Sequence, residues 1–346
     1  MLRLEDKAAQ ETKVELPLFE VSVIVAAYDV SAYIDRALRS AAAQTVPNIE
    51  IIVVDDASLD DTAERVARYA AADLRIRLIR QERNGGPARA RNIALRAARG
   101  RWIAVLDADD AWAPARLRRL LDASTGCDLV FDNLMGFDLH AGRCTGPLFP
   151  HLPSAGLALD DLLAPEAPGT SYDFGYLQPL MRTEFLRNHR IAYVPELRAG
   201  EDLVLGVTAL LAGARTATVP EPHYIYTTRV GAESGRVSMA SKTVPGASPV
   251  HRILSELLAE HGDALCARTR AAFQDRLDHI AANSVAARFQ HARRRRHYAD
   301  MARMLATEPA LRRHAWRRLR RGYAALVGSR RLPALRHAGR SVEKPS

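Results

Sequence analysis

Three carboxylates, Asp107, Asp109 and Asp110, follow directly on the apolar run "WIAVL" (102–106). Like charges this close repel, so a positive partner is expected beside them. A hard divalent cation is one candidate, because such ions take oxygen ligands and typically use one or two protein carboxylates alongside substrate phosphates. A structural role is the other, since Asp is frequent at strand ends and Asp110 could cap a helix beginning near Pro114. A second acidic pair, Asp55-Asp56, ends the run "IEIIVV" (49–54). The stretch "RNGGPARARN" (83–92) sets two glycines before an arginine-rich helix. Backbone N–H groups at a helix start and guanidinium forks both suit phosphate or ribose. Arg89 and Arg91 are therefore candidates for a nucleotide, with a solvated helix face as the alternative. There is no G-x-G-x-x-G or Walker pattern, so a dinucleotide or ATP site has no support.

The surrounding elements say where these groups go. "VSVIVAAY" (21–28), "IEIIVVDDAS" (49–58), "IRLIRQE" (76–82) and "RWIAVLDAD" (101–109) read as short strands, the first two continuously apolar as in strands buried on both faces. Between them, 31–44, 60–71 and 86–98 read as helices, with Tyr33, Ile34, Ala37, Leu38 and Ala41 on one side of the first. Such alternation indicates an α/β fold, a mostly parallel sheet with helices on both faces. Ligands of such sheets bind beyond the carboxyl ends of the strands. Three of the four strands end in polar groups: Tyr28–Asp29, Asp55–Asp56 and Asp107-Ala-Asp109. Their convergence on one edge favours the metal reading over the capping one. Further on, 126–137 reads as a strand, followed by Pro- and Gly-rich chain to about 180. A helix over 200–214 has Leu203, Val207, Leu210 and Leu211 on its apolar face, and a last strand over 217–229 is broken early by two prolines. Beyond about 245 the pattern is helical. The organisation expected is an arm (1–20), a nucleotide-binding half (21–125), an acceptor-binding and catalytic half (126–240) and a basic helical extension (241–346).

The 346 residues are 48% hydrophobic and 26% charged, a globular balance. No apolar stretch approaches the roughly 18 residues of a spanning helix. The first twenty residues lack the apolar core of a signal peptide, so a cytoplasmic location is expected. Cys127, Cys144 and Cys266 have no metal-site spacing and are expected to be free, buried thiols. The net charge of +9 is uneven: residues 286–346 hold 17 Lys and Arg against 3 acids. A basic tail suits a polyanionic partner.

Taken in order, "VSVIVAAY", "VVDDASLDDT", "GGPARARNIAL", "WIAVLDADD" and "GEDLVL" resemble the family 2 glycosyltransferases, inverting enzymes of the GT-A nucleotide-diphospho-sugar-binding fold. The resemblance covers about residues 20–235. "FGYLQPLMRTEFL" and "YIYTTR" look most like bacterial exopolysaccharide glucosyltransferases of the succinoglycan type. The resemblance implies a divalent metal, Mg2+ or Mn2+, on Asp109 of a D-x-D motif. It places Asp107 at the ribose or at the water shell of the metal. It sets Asp56 against the base edge, Tyr28 against the base face, and Arg91 with Asn92 at the "ARN" element near the nucleotide. Asp202 matches the general base and Glu201 its supporting acid, although any such pair also stabilises a helix N-terminus. Arg229 matches a basic position in a loop over the diphosphate, and His223 is a looser candidate for metal or phosphate. Asp110 is expected to hold the loop after the motif, Asp55 to face a helix dipole or the base, and Ser58 and Asp60 to serve as loop and cap.

The activity implied is metal-dependent, inverting transfer of one hexose from a nucleoside-diphosphate sugar, with UDP-glucose the expected donor. The acceptor implied is a saccharide, expected to be a lipid-linked exopolysaccharide unit. A processive synthase is not expected, since no Q-x-x-R-W element is present. In 317–337 arginines alternate with Leu319, Tyr323, Leu326 and Val327, as in a helix lying in a membrane interface. Peripheral attachment at the inner face of the cytoplasmic membrane is one reading and a solvated helix the other; nucleic acid is not expected. A silent membrane-binding protein of the same fold and a nucleotidyltransferase are the alternatives. For the latter, "AAYDVSAY" lacks the Gly- and Lys-rich loop expected after the first strand.

Overall fold

A computed structural model describes residues 18–228, 249–294 and 296–307. The expected arm before residue 18, Arg229 and the basic segment 317–337 lie outside them. The first half follows the sequence pattern. Strands β1 (Phe19–Ala27), β2 (Ile49–Asp55), β3 (Ile76–Arg80) and β4 (Gly100–Val105) alternate with helices α1 (Ile34–Ala42), α2 (Thr62–Ala72) and α3 (Pro87–Ala97). All four strands are parallel, with Val23 paired to Ile51 on one side and Ala104 on the other. Val21, Val23, Ile24 and Val25 are fully buried, as are Ile51, Ile52, Val53 and Val54. Each such side chain contributes about 1.5–3 kcal/mol on burial. α1 turns Ile34, Ala37, Leu38 and Ala41 inward, while Tyr33 stands just before its first turn.

The second half interrupts the parallel order. β5 (Ala111–Trp112), α4 (Arg116–Asp122), β6 (Leu129–Asp138), β7 (Arg143–Pro147) and α5 (Leu159–Leu163) lead to a 3-10 turn at Phe174–Tyr176. β8 (Leu180–Arg182), α6 (Thr183–Asn188), α7 (Glu201–Leu211) and β9 (Thr216–Thr228) follow. The sheet order is β3-β2-β1-β4-β8-β6-β9-β5, with β7 on β6. β8, short enough to escape periodicity, is antiparallel to both β4 and β6 and joins the two halves. β9 is continuous rather than broken at its prolines. Pro220 and Pro222 cannot donate to a ladder, and the register against β6 shifts between Asp132 and Leu134 to absorb them. α7 differs from the one-faced helix expected. Glu201, Leu203, Val204, Leu205, Gly206, Val207 and Ala209 are all buried, because Leu197 and Ile253 pack on Val204 from outside the sheet.

After residue 248 come α8 (Pro249–His261), a 3-10 turn at Gly262–Ala264, α9 (Ala267–Arg294) and α10 (Tyr298–Thr307). Of the described residues, those up to His279 belong to one compact unit with the sheet and those from Ile280 to a second. The cysteines are free but not buried. Cys144 on the outer strand β7 and Cys266 before α9 are exposed, and Cys127 is half-buried, because each lies on peripheral chain rather than on a core face.

Candidate active site

At the end of β4 the chain leaves the sheet and turns back, the Asp110 amide donating to the Asp107 carbonyl at 3.0 Å. This sends the three carboxylates to different places. Asp110 is 2% exposed and accepts the Thr227 N–H at 2.7 Å, so it holds the turn against β9. Burial and the charges of Asp109 and Asp107 push its carboxyl well above the usual range. The Asp109 carbonyl accepts from the Thr227 hydroxyl and from Arg36 Nη2, both at 2.6 Å, which fixes the backbone beneath a half-buried carboxylate. The Asp107 N–H donates to the hydroxyl of the buried Tyr224 at 3.1 Å.

Arg91 is directed into this cluster. Asn92, the next residue of α3, clamps Tyr193 through both backbone groups (2.7 and 2.9 Å), which fixes the helix against the chain entering α7. The Arg91 side chain is 5% exposed. Its Nη2 donates to Asp107 Oδ1 at 2.5 Å, and its Nη1 donates to Glu201 Oε1 at 2.7 Å and to both Asp202 oxygens at 3.1 Å. Burial disfavours its charge, but Asp202, Asp107 and Glu201 outweigh burial and keep it firmly protonated. Asp202 receives one more bond, from Gln178 Nε2 at 3.0 Å. Burial raises the Asp202 pKa to about 6, helped by the charges of Glu201 and Asp107 and opposed by Arg91. A carboxylate tuned to this range can both take and release a proton near neutral pH.

The other expected base-side residues line the neighbouring strand ends. Asp56 is 2% exposed; its oxygens accept from Gln81 Nε2 (3.0 Å) and from the amides of Gly85 (2.8 Å) and Gly86 (2.7 Å). It shapes the loop before α3. Gly86 has φ +91° and lies so close to Arg198 that a Cβ would sit 2.4 Å from its guanidinium, so the loop needs glycine there. Asp55 Oδ1 is buried with no hydrogen-bond partner among the described residues, as a group awaiting a ligand donor would be. Tyr28 is half-buried at the end of β1. Ser58 accepts from the Asp29 amide, and Asp60 accepts from Ser31 and Thr62, so both tie the loop together; the cap position of α2 is Asp61 rather than the expected Asp60, because the helix begins at Thr62. Arg89 is exposed. The His223 carbonyl accepts the Ala113 amide at 2.8 Å, and its ring Nε2 is buried with no hydrogen-bond partner among the described residues.

Residues 22–166 match the family model described as Glycosyl transferase family 2. That stretch is similar to a family 2 glycosyltransferase domain. It is 39% identical over 223 residues to the succinoglycan biosynthesis protein ExoO of Rhizobium meliloti (strain 1021), covering 62% of each chain. The chain thus spans about three fifths of the length of that curated relative. Its fold is similar to S. aureus TarS 1-349 in complex with UDP-GlcNAc (TM-score 0.58, 24% identity, 75% of this chain and 72% of that one). It is also similar to the mannosyltransferase PcManGT from Pyrobaculum calidifontis in complex with GDP-Man and Mn2+ (TM-score 0.51, 20% identity, 86% and 83%). The architecture is the GT-A fold.

Two supports of this site were not legible in the sequence. Arg116 and Asp132 are both 0% exposed and paired through Nη2 at 2.7 Å. Arg116 lies 4.6 Å from the Trp112 ring centroid and 4.9 Å from that of Tyr224, and donates to the Gln178 carbonyl at 2.5 Å. It therefore steadies both the tyrosine beneath Asp107 and the glutamine on Asp202. In "APARLRRLL" it is one of three arginines, and only contact with β6 distinguishes it from those facing solvent.

The donor set fits a hard divalent cation. Asp107 and Asp109 offer only carboxylate oxygens, and both are half-buried beside the covered Asp110 carboxyl. Among the described residues no group of three or more acidic, His or Cys side chains could hold an ion unaided. A cation there would complete its shell with diphosphate oxygens and water, which is how Mg2+ is usually held.

Proposed function

We propose that this chain is a metal-dependent, inverting glycosyltransferase that moves one hexose from a nucleoside-diphosphate sugar, UDP-glucose, to a saccharide acceptor of exopolysaccharide synthesis carried on a lipid. The observation that carries this reading is the Arg91 bridge. One buried guanidinium ties the D-x-D aspartate Asp107 to Asp202, so proton acceptor and diphosphate end share one cluster.

Asp55, Asp56 and Tyr28 form the base side, with Asp56 acting chiefly through the Gly85–Gly86 loop. Asp109 and Asp107 would hold Mg2+ or Mn2+, and Arg229 would close over the diphosphate. Asp202, held by Arg91 and Gln178, takes the proton of the acceptor hydroxyl as its oxygen attacks the anomeric carbon. The bond from that carbon to the diphosphate oxygen breaks on the opposite face, so an α-linked donor gives a β-linkage. A bound divalent ion supplies charge neutralisation for the departing diphosphate, so no protein acid has to protonate it. Glu201 shares Arg91 and keeps its guanidinium from neutralising Asp202 fully. One addition per encounter and peripheral membrane attachment through the basic tail complete the reading. ExoO's naming for succinoglycan biosynthesis and the nucleotide sugars bound to the two structural neighbours support it.

Calorimetric titration of UDP with and without Mn2+, on the wild type and on Asp109→Ala, tests the donor site. Metal-dependent binding lost in the variant is expected. Metal-independent or absent binding in well-folded protein would overturn the reading.

A further inference from the structure

Beside the carboxylates stands a group of uncharged side chains that the reaction above does not use. Tyr172, Tyr176 and Tyr226 meet nearly at right angles. Their centroid distances and interplanar angles are 5.3 Å and 88° (Tyr172–Tyr176), 6.0 Å and 87° (Tyr176–Tyr226) and 6.4 Å and 76° (Tyr172–Tyr226). Edge-to-face rings are a stable arrangement that also fills cores. This trio, however, is not a core. Tyr176 is 43% exposed and its two partners are half-buried, whereas Phe149 and Phe174 beneath them are fully covered.

Position gives the trio its meaning. Tyr176 lies two residues before Gln178, whose amide holds Asp202. Tyr226 directly precedes Thr227, which binds Asp110 through its amide and the Asp109 carbonyl through its hydroxyl. The Tyr176–Tyr226 contact therefore links the segment that touches the proton acceptor to the strand that holds the metal-side turn.

The mounting is rigid. Asp173 Oδ1 accepts the Gly175 amide at 2.9 Å, and Oδ2 pairs with Arg276 of α9 at 2.8 Å. Arg276 is 6% exposed and also donates to the Ala164 carbonyl at 3.2 Å. A Cβ on Gly175 would lie 3.0 Å from Leu203 Cβ, so the turn sits tightly on α7 one residue beyond Asp202. Preorganised aromatic surface with polar tips is what a ligand that is apolar on its face and hydroxylated on its rim requires. A pyranose ring has that character, with C–H groups on its faces and hydroxyls around its edge. A phosphate or a nucleotide base edge would instead seek the charged groups nearby.

We propose that Tyr172, Tyr176 and Tyr226 form the acceptor subsite, taking an uncharged pyranose ring and presenting one of its hydroxyls to Asp202. This rests on Asp202 being the proton acceptor of the proposed transferase. Arg276 of α9 then belongs to the acceptor site as its brace.

The test is saturation-transfer NMR with the full chain, UDP and Mn2+, using the methyl β-glycosides of glucose, galactose and N-acetylglucosamine as probes. Wild type and Tyr176→Phe should transfer saturation to ring protons of at least one probe. Tyr176→Ala should weaken its binding about fivefold or more, the worth of one aromatic contact. UDP affinity should stay within about twofold in all three proteins, a change of under about 0.5 kcal/mol. Independently of any variant, the bound probe should protect Tyr176 from nitration by tetranitromethane, read by peptide mass spectrometry. No transfer to any probe while UDP binds, or transfer and protection indifferent to Tyr176, would overturn the subsite. Saccharide binding without UDP binding would instead uphold the platform and overturn the donor reading.

Discussion

Arg91 Nη1 stands 3.1 Å from both oxygens of Asp202. The same guanidinium reaches Asp107 and Glu201, so removing it would leave three carboxylates facing one another with little access to water. Breaking a buried pair from one side typically costs about 3–5 kcal/mol. Arg91→Met is therefore expected to lose stability of that order in urea unfolding, with most of the loss recovered in an Arg91→Met/Glu201→Gln double variant. Equal stabilities for wild type and Arg91→Met would contradict the bridge.

Asp202→Asn keeps the shape of the side chain and removes its basicity. Transfer is expected to fall about 10²–10⁴-fold, the usual worth of a positioned base. UDP binding should be unchanged, because Asp202 belongs to the acceptor side. Product formation in a radiolabelled-sugar assay and UDP calorimetry on the same preparation separate these effects. Unaltered turnover would point to a protein in which Asp202 is only structural.

The Asp202 carboxyl, with a pKa of about 6, must be ionised to act as a base, so kcat/KM should rise with pH through about 6 and level off above it. In the Arg91→Met variant the limb should move to higher pH, since the opposing positive charge is gone. The sign for stability is the reverse. A carboxyl whose folded pKa is raised binds its proton more tightly when folded. Its contribution is full below the unfolded value and is lost as pH climbs from about 4 to 6. Unfolding free energies across that window, wild type against Asp202→Asn, measure it.

Arg116 and Asp132 allow stability and activity to be separated. Arg116→Met alone leaves a bare carboxylate in the core and should cost about 3–5 kcal/mol. Pairing it with Asp132→Leu restores an apolar interior, which is often neutral or stabilising by about 1–4 kcal/mol. The double variant still lacks the bond to the Gln178 carbonyl and the cation against Tyr224. It should therefore be well folded in thermal melts yet slower in transfer than wild type.

The parallel first half was legible because its signals are local. Runs of buried Val and Ile, helices of period 3.6 between them, and acids at strand ends depend on neighbours a few residues away. The sheet edge that gathers Asp55, Asp56, Asp107 and Asp109 follows from that alternation alone. The family motifs, met in order, placed Asp202 among the candidates even though nothing local distinguishes it from a helix-capping acid.

What tertiary structure decided was which of these charges face each other. Arg91 in "ARARN" reads as readily as a nucleotide ligand or a solvated side chain, and only the packing of α3 against Tyr193 turns it beneath three carboxylates. Arg116, the stretch that carries Tyr172, Tyr176 and Gln178, and Tyr226 come from three separate segments of the chain, so no spacing encodes their meeting. β8 and β9 show the same division, one too short for periodicity and the other carrying prolines that only its pairing with β6 accommodates. Sequence by itself determined the alternating strands and helices of the first half and the stock of acids and bases, because those depend on local sterics and burial pattern. The pKa of Asp202 and the aromatic corner beside it depend on distances across the fold, and those exist only once the sheet has closed around them.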